Sequence, residues 1–551
     1  MIKKAAVIIF IVGLTLAVFA NTISGEFVFD DPDFIVENPG VKTLDNFGGF
    51  FFDPGRTTRS DILRYHVWRP LTTISFAINY RLSGLNVRPW HAVNIALHAL
   101  CAVFVFLLAR RALGNESMAA LAAAIFAVHP AQAESVALVA SRANPLALAF
   151  LLPSLFLALK ASETTSSARR LWLIATSLLL FAAALLSKES AIVLPILIFI
   201  SIILIPGQKA RAHRLGRLIL PFFVVAGLYI LTRWEILGVM AQRSMRGGSL
   251  ASHLLTIVQS SAVYLKLAIF PLHMTVSHAQ PANEILFGWR SLVAAVAVAA
   301  VFFGAIRLRR ISAVYTYGLA WFYISLLPVL NIVPINAFVS DRFLYAPLIG
   351  LALFMVRGVN DIFGERRRAA IALLLLIIAI VSVRTATRNR DFLDDMSLWS
   401  AEIGINPRNA KALYNIGAIY QNRGELDYAA KHYELASRSG NAVGLLARVR
   451  LAEIALAKND IAAAMKIADD AIGVFPNFPQ GYLCRAKIRL AAGDPAAAEA
   501  DLKTALTVAP SSATVWDELA KLYERTGRSD LALESRAKAR EFLKSHGKPT
   551  M

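Results

Sequence analysis

Hydrophobic positions in this chain come in long blocks. Up to about residue 390 they form apolar runs near the length a bilayer needs, separated by short polar links. The runs predict spans near 91–109, 117–130, 135–159, 171–187, 190–206, 217–233, 291–306, 315–333, 343–357 and 369–384. Another run starts at Ala5, behind Lys3 and Lys4. It could be a short cleavable signal peptide, but the many spans that follow favour an uncleaved anchor. With it the total is about eleven spans. The stretch Leu254–Phe270 is also apolar enough to span, yet both flanking charge clusters lie on one side, so parity leaves no room for it. It reads as a re-entrant or surface helix in a long loop, 234–290. The segment Pro70–Leu82 looks amphipathic and suits the membrane interface.

From about residue 391 the pattern changes to alanine-rich, evenly charged helix, and landmarks recur every 34 residues. Pro476 is followed by Pro510, Tyr482 by Trp516, and Ala471 by Ala505 and Ala539. This is the period of the tetratricopeptide helix–turn–helix unit. A first copy reads Leu413, Ile416, Gly417, Tyr420, Ala429, Tyr433, Ala436. About four repeats fill 410–546, after a half-repeat near 395–406. The expected architecture is therefore all-α: a polytopic membrane helix bundle over 1–390, followed by a tetratricopeptide α-solenoid over 391–551. Such solenoids usually bind peptides in a concave groove; a structural spacer is the alternative.

Composition sharpens this picture. The chain is 57% hydrophobic and 17% charged, against roughly 45–50% and about 25% in soluble domains. That excludes an ordinary soluble enzyme and a disordered chain. The net charge of +20 could suggest nucleic acid, but its distribution does not. Of the 57 basic and 37 acidic residues, 391–551 holds 21 and 20, which leaves 36 and 17 for residues 1–390. The excess sits in clusters between apolar runs, such as Arg110–Arg111, Arg169–Arg170, Lys209–Arg217, Arg307–Arg310 and Arg366–Arg368. That is the positive-inside pattern, and these loops are read as cytoplasmic. An odd span count then places the repeats outside, together with a first outer loop at about 22–88. Two cysteines, Cys101 and Cys484, support neither a disulfide framework nor a zinc site. Walker, Rossmann and HExxH motifs are absent.

Candidate chemistry gathers on the outer side. Asp30 and Asp31 follow the first span; a carboxylate there can take a proton from a hydroxyl, or the pair can ligate a divalent cation. An acidic turn into Pro32 is the plain alternative. Glu134, in His129-Pro130-Ala-Gln-Ala-Glu134, adds a third carboxylate at an outer turn, unless it merely opens a helix. Arg69, Arg142, Lys188 and Arg342 stand on the outer side against the charge bias. Polar groups wedged between spans tend to be functional, and such cations can hold a lipid-linked phosphate. Lys188–Glu189 and Asp341–Arg342 could instead pair locally. His91, Asn94 and His98 share one helical face and read as interhelical hydrogen bonding.

The ordered set is Phe29-Asp30-Asp31-Pro32, Trp68-Arg69-Pro70-Leu71-Thr72, His129-Pro130 with Glu134, Ser141-Arg142-Ala143-Asn144, Leu186-Ser187-Lys188-Glu189 and Arg342-Phe-Leu-Tyr345, then the repeats. It resembles the transmembrane and tetratricopeptide-repeat O-mannosyltransferase family, a branch of the GT-C glycosyltransferases, over nearly the whole chain. The resemblance implies a polyprenyl-phosphate-linked sugar, typically mannose, as donor. It implies transfer to Ser or Thr of an exported protein on the non-cytoplasmic side, with inversion. The base maps onto Asp30 or Asp31 and the phosphate site onto Arg69, Arg142, Lys188 and Arg342, with His129 and Glu189 in support. No cofactor is fixed by these residues; a divalent cation held between Asp30, Asp31 and Glu134 is compatible with them. The chain has fewer repeats and more compact loops than eukaryotic members. A bacterial inner membrane and an undecaprenyl-type donor are the matching expectations. An envelope oligosaccharide ligase or polymerase and a non-catalytic repeat scaffold are the rival readings.

Overall fold

A computed structural model describes residues 4–58, 67–205, 212–238, 249–276, 278, 288–335 and 337–545. Every regular element among the described residues is helical. The chain divides into two compact units, Met1–Asp394 and Asp395–Met551.

The first unit contains α1 (Lys4–Phe19), α2 (Pro70–Ser83), α3 (Val87–Leu113), α4 (Glu116–Val128), α5 (Ala143–Glu163), α6 (Ser167–Ser187) and α7 (Leu194–Leu204). It continues with α8 (Ala212–Leu237), α9 (Leu250–Ile269), α10 (Trp289–Leu308), α11 (Ala313–Leu326), α12 (Pro347–Phe363) and α13 (Arg367–Asn389). Among the described residues, 7 helical stretches are long and apolar enough to cross a membrane: Lys4–Thr22, Val87–Leu113, Val139–Glu163, Ser167–Ser187, Leu215–Leu237, Trp289–Leu308 and Arg367–Phe392. Glu116–Val128, Glu189–Leu204 and Ala313–Val329 are shorter apolar helices. The apolar run expected at 135–159 is divided. A short helix, Ala133–Ala137, and a tight turn, Val139–Arg142, occupy its start. Pro145 then lies in the first turn of α5, where its missing N–H has no intrahelical partner to lose. Helix α9, over the segment read as re-entrant, buries a polar stripe that includes Thr256, Gln259, Ser260 and Tyr264.

The core of this unit is tight because small residues line it. From Met118 to Val128, α4 is buried at every position except Ala120, and five of the buried residues are alanines. Helices α11 and α12 cross where two glycines meet. A Cβ on Gly350 would lie 2.2 Å from the Gly318 carbonyl oxygen, and one on Gly318 would lie 2.6 Å from the Gly350 oxygen. This is the small-residue contact that lets membrane helices approach closely. Gly350→Val is expected to separate the helices and to reduce the yield of monodisperse protein in detergent, while Gly304→Val, at an open position, leaves it unchanged.

The second unit opens with α14 (Asp395–Ile405) and continues as four hairpins. They are α15 (Ala410–Asn422) with α16 (Leu426–Ser437), α17 (Ala442–Ala457) with α18 (Ile461–Val474), α19 (Pro479–Ala491) with α20 (Pro495–Val508), and α21 (Ala513–Arg525) with α22 (Ser529–Ser545). Each turn carries one residue with positive φ: Gly424, Asn459, Gly493 and Gly527. Glycine and asparagine tolerate that conformation, which explains the recurring turn sequences. Ala429, Ala464, Ala498 and Ala532 are buried at equivalent points, where nothing larger than a methyl group separates the paired helices. In the first hairpin, Gly417 packs on the Tyr433 ring, and a Cβ there would come within 2.8 Å of it. Gly417→Val is expected to destabilise this unit by about 1–3 kcal/mol through overpacking, read as a lower melting temperature by circular dichroism.

Candidate functional site

The site is built where helices break. Lys188 separates α6 from the turn Glu189–Val193 that leads to α7; it is extended, with φ −157° and ψ 133°. Arg69 precedes Pro70, which bars it from helical geometry and leaves it at the N-cap of α2. Ser340 is extended before the turn Asp341–Leu344 that carries Arg342. Phe29 has φ 59°, a left-handed conformation costing about 1–3 kcal/mol for a bulky side chain. Beyond it, Asp30 and Asp31 point in different directions.

Asp30, Arg69, Lys188, Glu189 and Arg342 line one cavity of about 450 Å³. Its polar wall also holds Asn144 and Arg233, and its apolar wall includes Phe34, Trp234, Val333 and Ile335. Arg342 Nη1 donates to Asp30 Oδ2 at 3.1 Å and lies 3.5 Å from Glu134 Oε1. Arg69 makes a bidentate pair with Glu189, Nε to Oε2 at 2.9 Å and Nη2 to Oε1 at 2.6 Å. Lys188 Nζ donates to Asn144 Oδ1 and sits 5.4 Å from the centre of the Phe343 ring. Burial pulls the Lys188 ammonium down to about 7, with repulsion from Arg69 adding to it and the Glu189 carboxylate opposing it.

Three sequence-predicted residues stand behind this wall. Asp31 is fully buried; its Oδ2 accepts the Val28 N–H at 3.0 Å and its Oδ1 the Ala140 N–H at 2.6 Å. Burial pushes its carboxyl up to about 8, against those two hydrogen bonds. Glu134 is buried as well. It accepts the Arg342 main-chain N–H at 2.9 Å and the Ser340 hydroxyl at 3.3 Å. Burial raises its carboxyl to about 7, with Arg342 opposing. His129 caps its own turn by accepting the Ala131 N–H, and its Nε2 lies 3.0 Å from the Ala268 oxygen. Arg142 turns away from the cavity. It donates to Asn94, Asn79, Ser75 and Trp90 and lies over the Phe76 and Trp90 rings. Among the described residues, no group of three or more His, Cys, Asp or Glu comes together as a metal site. The main-chain bonds of Asp31 keep it from converging with Asp30.

Sequence reasoning passed over several contributors. Arg233 ends its predicted span at the same side as Lys188 and Arg342, so the same charge argument applied to it. Tyr229, in the cavity wall, stacks on Trp68 with ring centres 5.6 Å apart. Asp341, read from the sequence only as a local partner of Arg342, is buried between His278 Nε2 at 3.0 Å and Arg388 Nη2 at 3.9 Å, and Arg388 also holds Asp391 at 2.8 Å. The Ser340–Arg342 segment is thus fixed by Glu134 on one side and by Asp341 on the other.

No protein-family model matches the chain. Protein O-mannosyl-transferase F38B6.6 of Caenorhabditis elegans is 25% identical over 439 residues, covering 77% of this chain and 61% of its own. Protein O-mannosyl-transferase TMTC3 of Mus musculus is 24% identical over 613 residues, covering 93% of this chain and 65% of its own. The curated relatives are protein O-mannosyl-transferases. The chain spans less than two thirds of the length of these relatives. The apo oligosaccharyltransferase of Archaeoglobus fulgidus aligns with 70% of this chain and 56% of its own, at TM-score 0.39 and 13% identity, too low to place a fold. With seven helices among the described residues long and apolar enough to cross a membrane, and with O-mannosyl-transferase relatives, the chain is an integral membrane protein.

Proposed function

We propose that the first unit is a glycosyltransferase that moves a hexose, mannose by the relatives' names, from a polyprenyl phosphate to a Ser or Thr hydroxyl of an exported protein. The observation that carries this reading is the cavity in which Asp30 faces Arg342, Lys188 and Arg69. Sugar transfer from a phosphate needs cations on the departing phosphate and a base for the incoming hydroxyl; phosphate needs no strong acid to leave. Arg342 and Lys188 hold the phosphate, with Arg69 fixed beside them by Glu189. Asp30 accepts the proton as the acceptor oxygen bonds to the sugar's anomeric carbon and the carbon–phosphate oxygen bond breaks. Attack from the face opposite the phosphate inverts that carbon.

In this reading Asp31, Glu134 and Arg142 shape the site from behind. The cavity and repeats face the extracytoplasmic side of a bacterial inner membrane, and the repeats hold the acceptor polypeptide. Membranes carrying the protein are expected to transfer label from polyprenyl-phospho-mannose to exported protein, and a phosphatase reporter fused after residue 395 is expected to be active. Transfer no higher than in membranes lacking the protein refutes the activity, and an inactive reporter refutes the orientation.

A further inference from the structure

The two arginines of the cavity are held in different ways. Arg69 gives two N–H groups to Glu189 in a closed fork. Arg342 reaches Asp30 through Nη1 alone, and among the described residues its Nε and Nη2 take no hydrogen bond. Its main chain, in contrast, is anchored. The Arg342 N–H donates to Glu134, whose buried carboxylate also lies 3.5 Å from Nη1. The guanidinium therefore has a fixed root and one releasable hydrogen bond to a cavity-facing carboxylate. Asp30 and Arg342 are about one quarter exposed, so this bond is open to competition by an entering anion.

We propose that the Asp30–Arg342 pair is a substrate-operated lock: the donor's phosphate takes Arg342 and, in doing so, frees Asp30. This rests on the glycosyl-transfer reading above and adds an order to it. While the guanidinium holds Asp30, Oδ2 is occupied by Nη1 and is not free to receive the acceptor hydroxyl. A phosphate bound to Nε and Nη2 neutralises that cation and draws Nη1 away, while the main-chain N–H keeps Arg342 anchored on Glu134. Asp30 then becomes available where the hydroxyl must lose its proton. Donor precedes acceptor, and Asp30 is held when no donor is present. Arg69 takes no part in the switch, since both of its engaged N–H groups are tied to Glu189.

The test uses the full-length protein in detergent and farnesyl phosphate, a short polyprenyl phosphate without sugar. Modification of Asp30 by a water-soluble carbodiimide and an amine is followed by mass spectrometry, and probe binding is measured separately by calorimetry. Saturating probe is expected to raise the rate of Asp30 modification about fivefold, the scale set by a part-exposed ion pair. Arg342→Gln is expected to show the raised rate without probe. Binding of the probe with unchanged or slower Asp30 modification overturns the lock and leaves the transferase reading standing. Absence of binding overturns both. Wild-type modification alone decides the matter if Arg342→Gln does not fold.

Discussion

Asp30→Asn is expected to lower sugar transfer by about 10²–10⁴, the usual effect of removing a general base, and to leave the protein folded. The amide keeps the shape of the side chain and can still accept a hydrogen bond from Arg342, but it cannot take a proton. Asp31→Asn should behave differently. Its two oxygens accept main-chain N–H groups from Val28 and Ala140, and an amide can accept only one of them. The other N–H would face an NH₂ group in a buried place, at a cost of about 1–3 kcal/mol. Asp31→Asn is therefore expected to lower the melting temperature more than Asp30→Asn does. Transfer per folded molecule should fall far less than in Asp30→Asn. Thermal denaturation and transfer assays on both variants check this. Equal loss of transfer in the two, with equal stability, would show that the pair acts as one unit.

The second large effect concerns Lys188. Burial holds its ammonium down to about 7, so it is a cation below that pH and increasingly neutral above it. Donor affinity is expected to weaken as the pH rises through about 7, seen as an increasing apparent KM. Lys188→Met removes the charge while keeping a flexible apolar stem. A lost charge-assisted contact is worth about 1.5–3 kcal/mol, so the variant's KM for the lipid-linked sugar should rise about 10- to 100-fold. The pH dependence near 7 should disappear with it. A variant with wild-type KM, or one that keeps the same pH profile, would remove Lys188 from the phosphate site.

Much of the fold was legible because apolar runs and a 34-residue period are direct physical signals. The recurring Gly or Asn at each hairpin turn is visible as sequence and is explained by its positive φ. Direction was not legible. Asp30 and Asp31 are neighbours with the same charge, and only the left-handed turn at Phe29 sends one into the cavity and the other onto buried N–H groups. Arg142 satisfied the same charge rule as Lys188 and Arg342. Its side chain instead follows the partners that packing offers, Asn79 and Asn94, which lie on helices far away in sequence. The division of the run at 135–159 was hidden because Val136 to Val139 is as apolar as a span. The break follows from what Glu134 and Arg142 must reach, which hydropathy does not record. Asp341 was legible only as a local partner of Arg342; its contact with Arg388 escaped notice because it joins residues from separate elements.

Asp30 and the cations around it are proposed to carry sugar transfer from a lipid phosphate. The most direct test of this role is to incubate purified full-length protein with radiolabelled β-linked polyprenyl-phospho-mannose and a serine- and threonine-bearing exported protein, then determine the linkage of the product. Label is expected on the acceptor as an α-mannoside, with none above background in Asp30→Asn. A β-linked product, or undiminished transfer by Asp30→Asn, would contradict it.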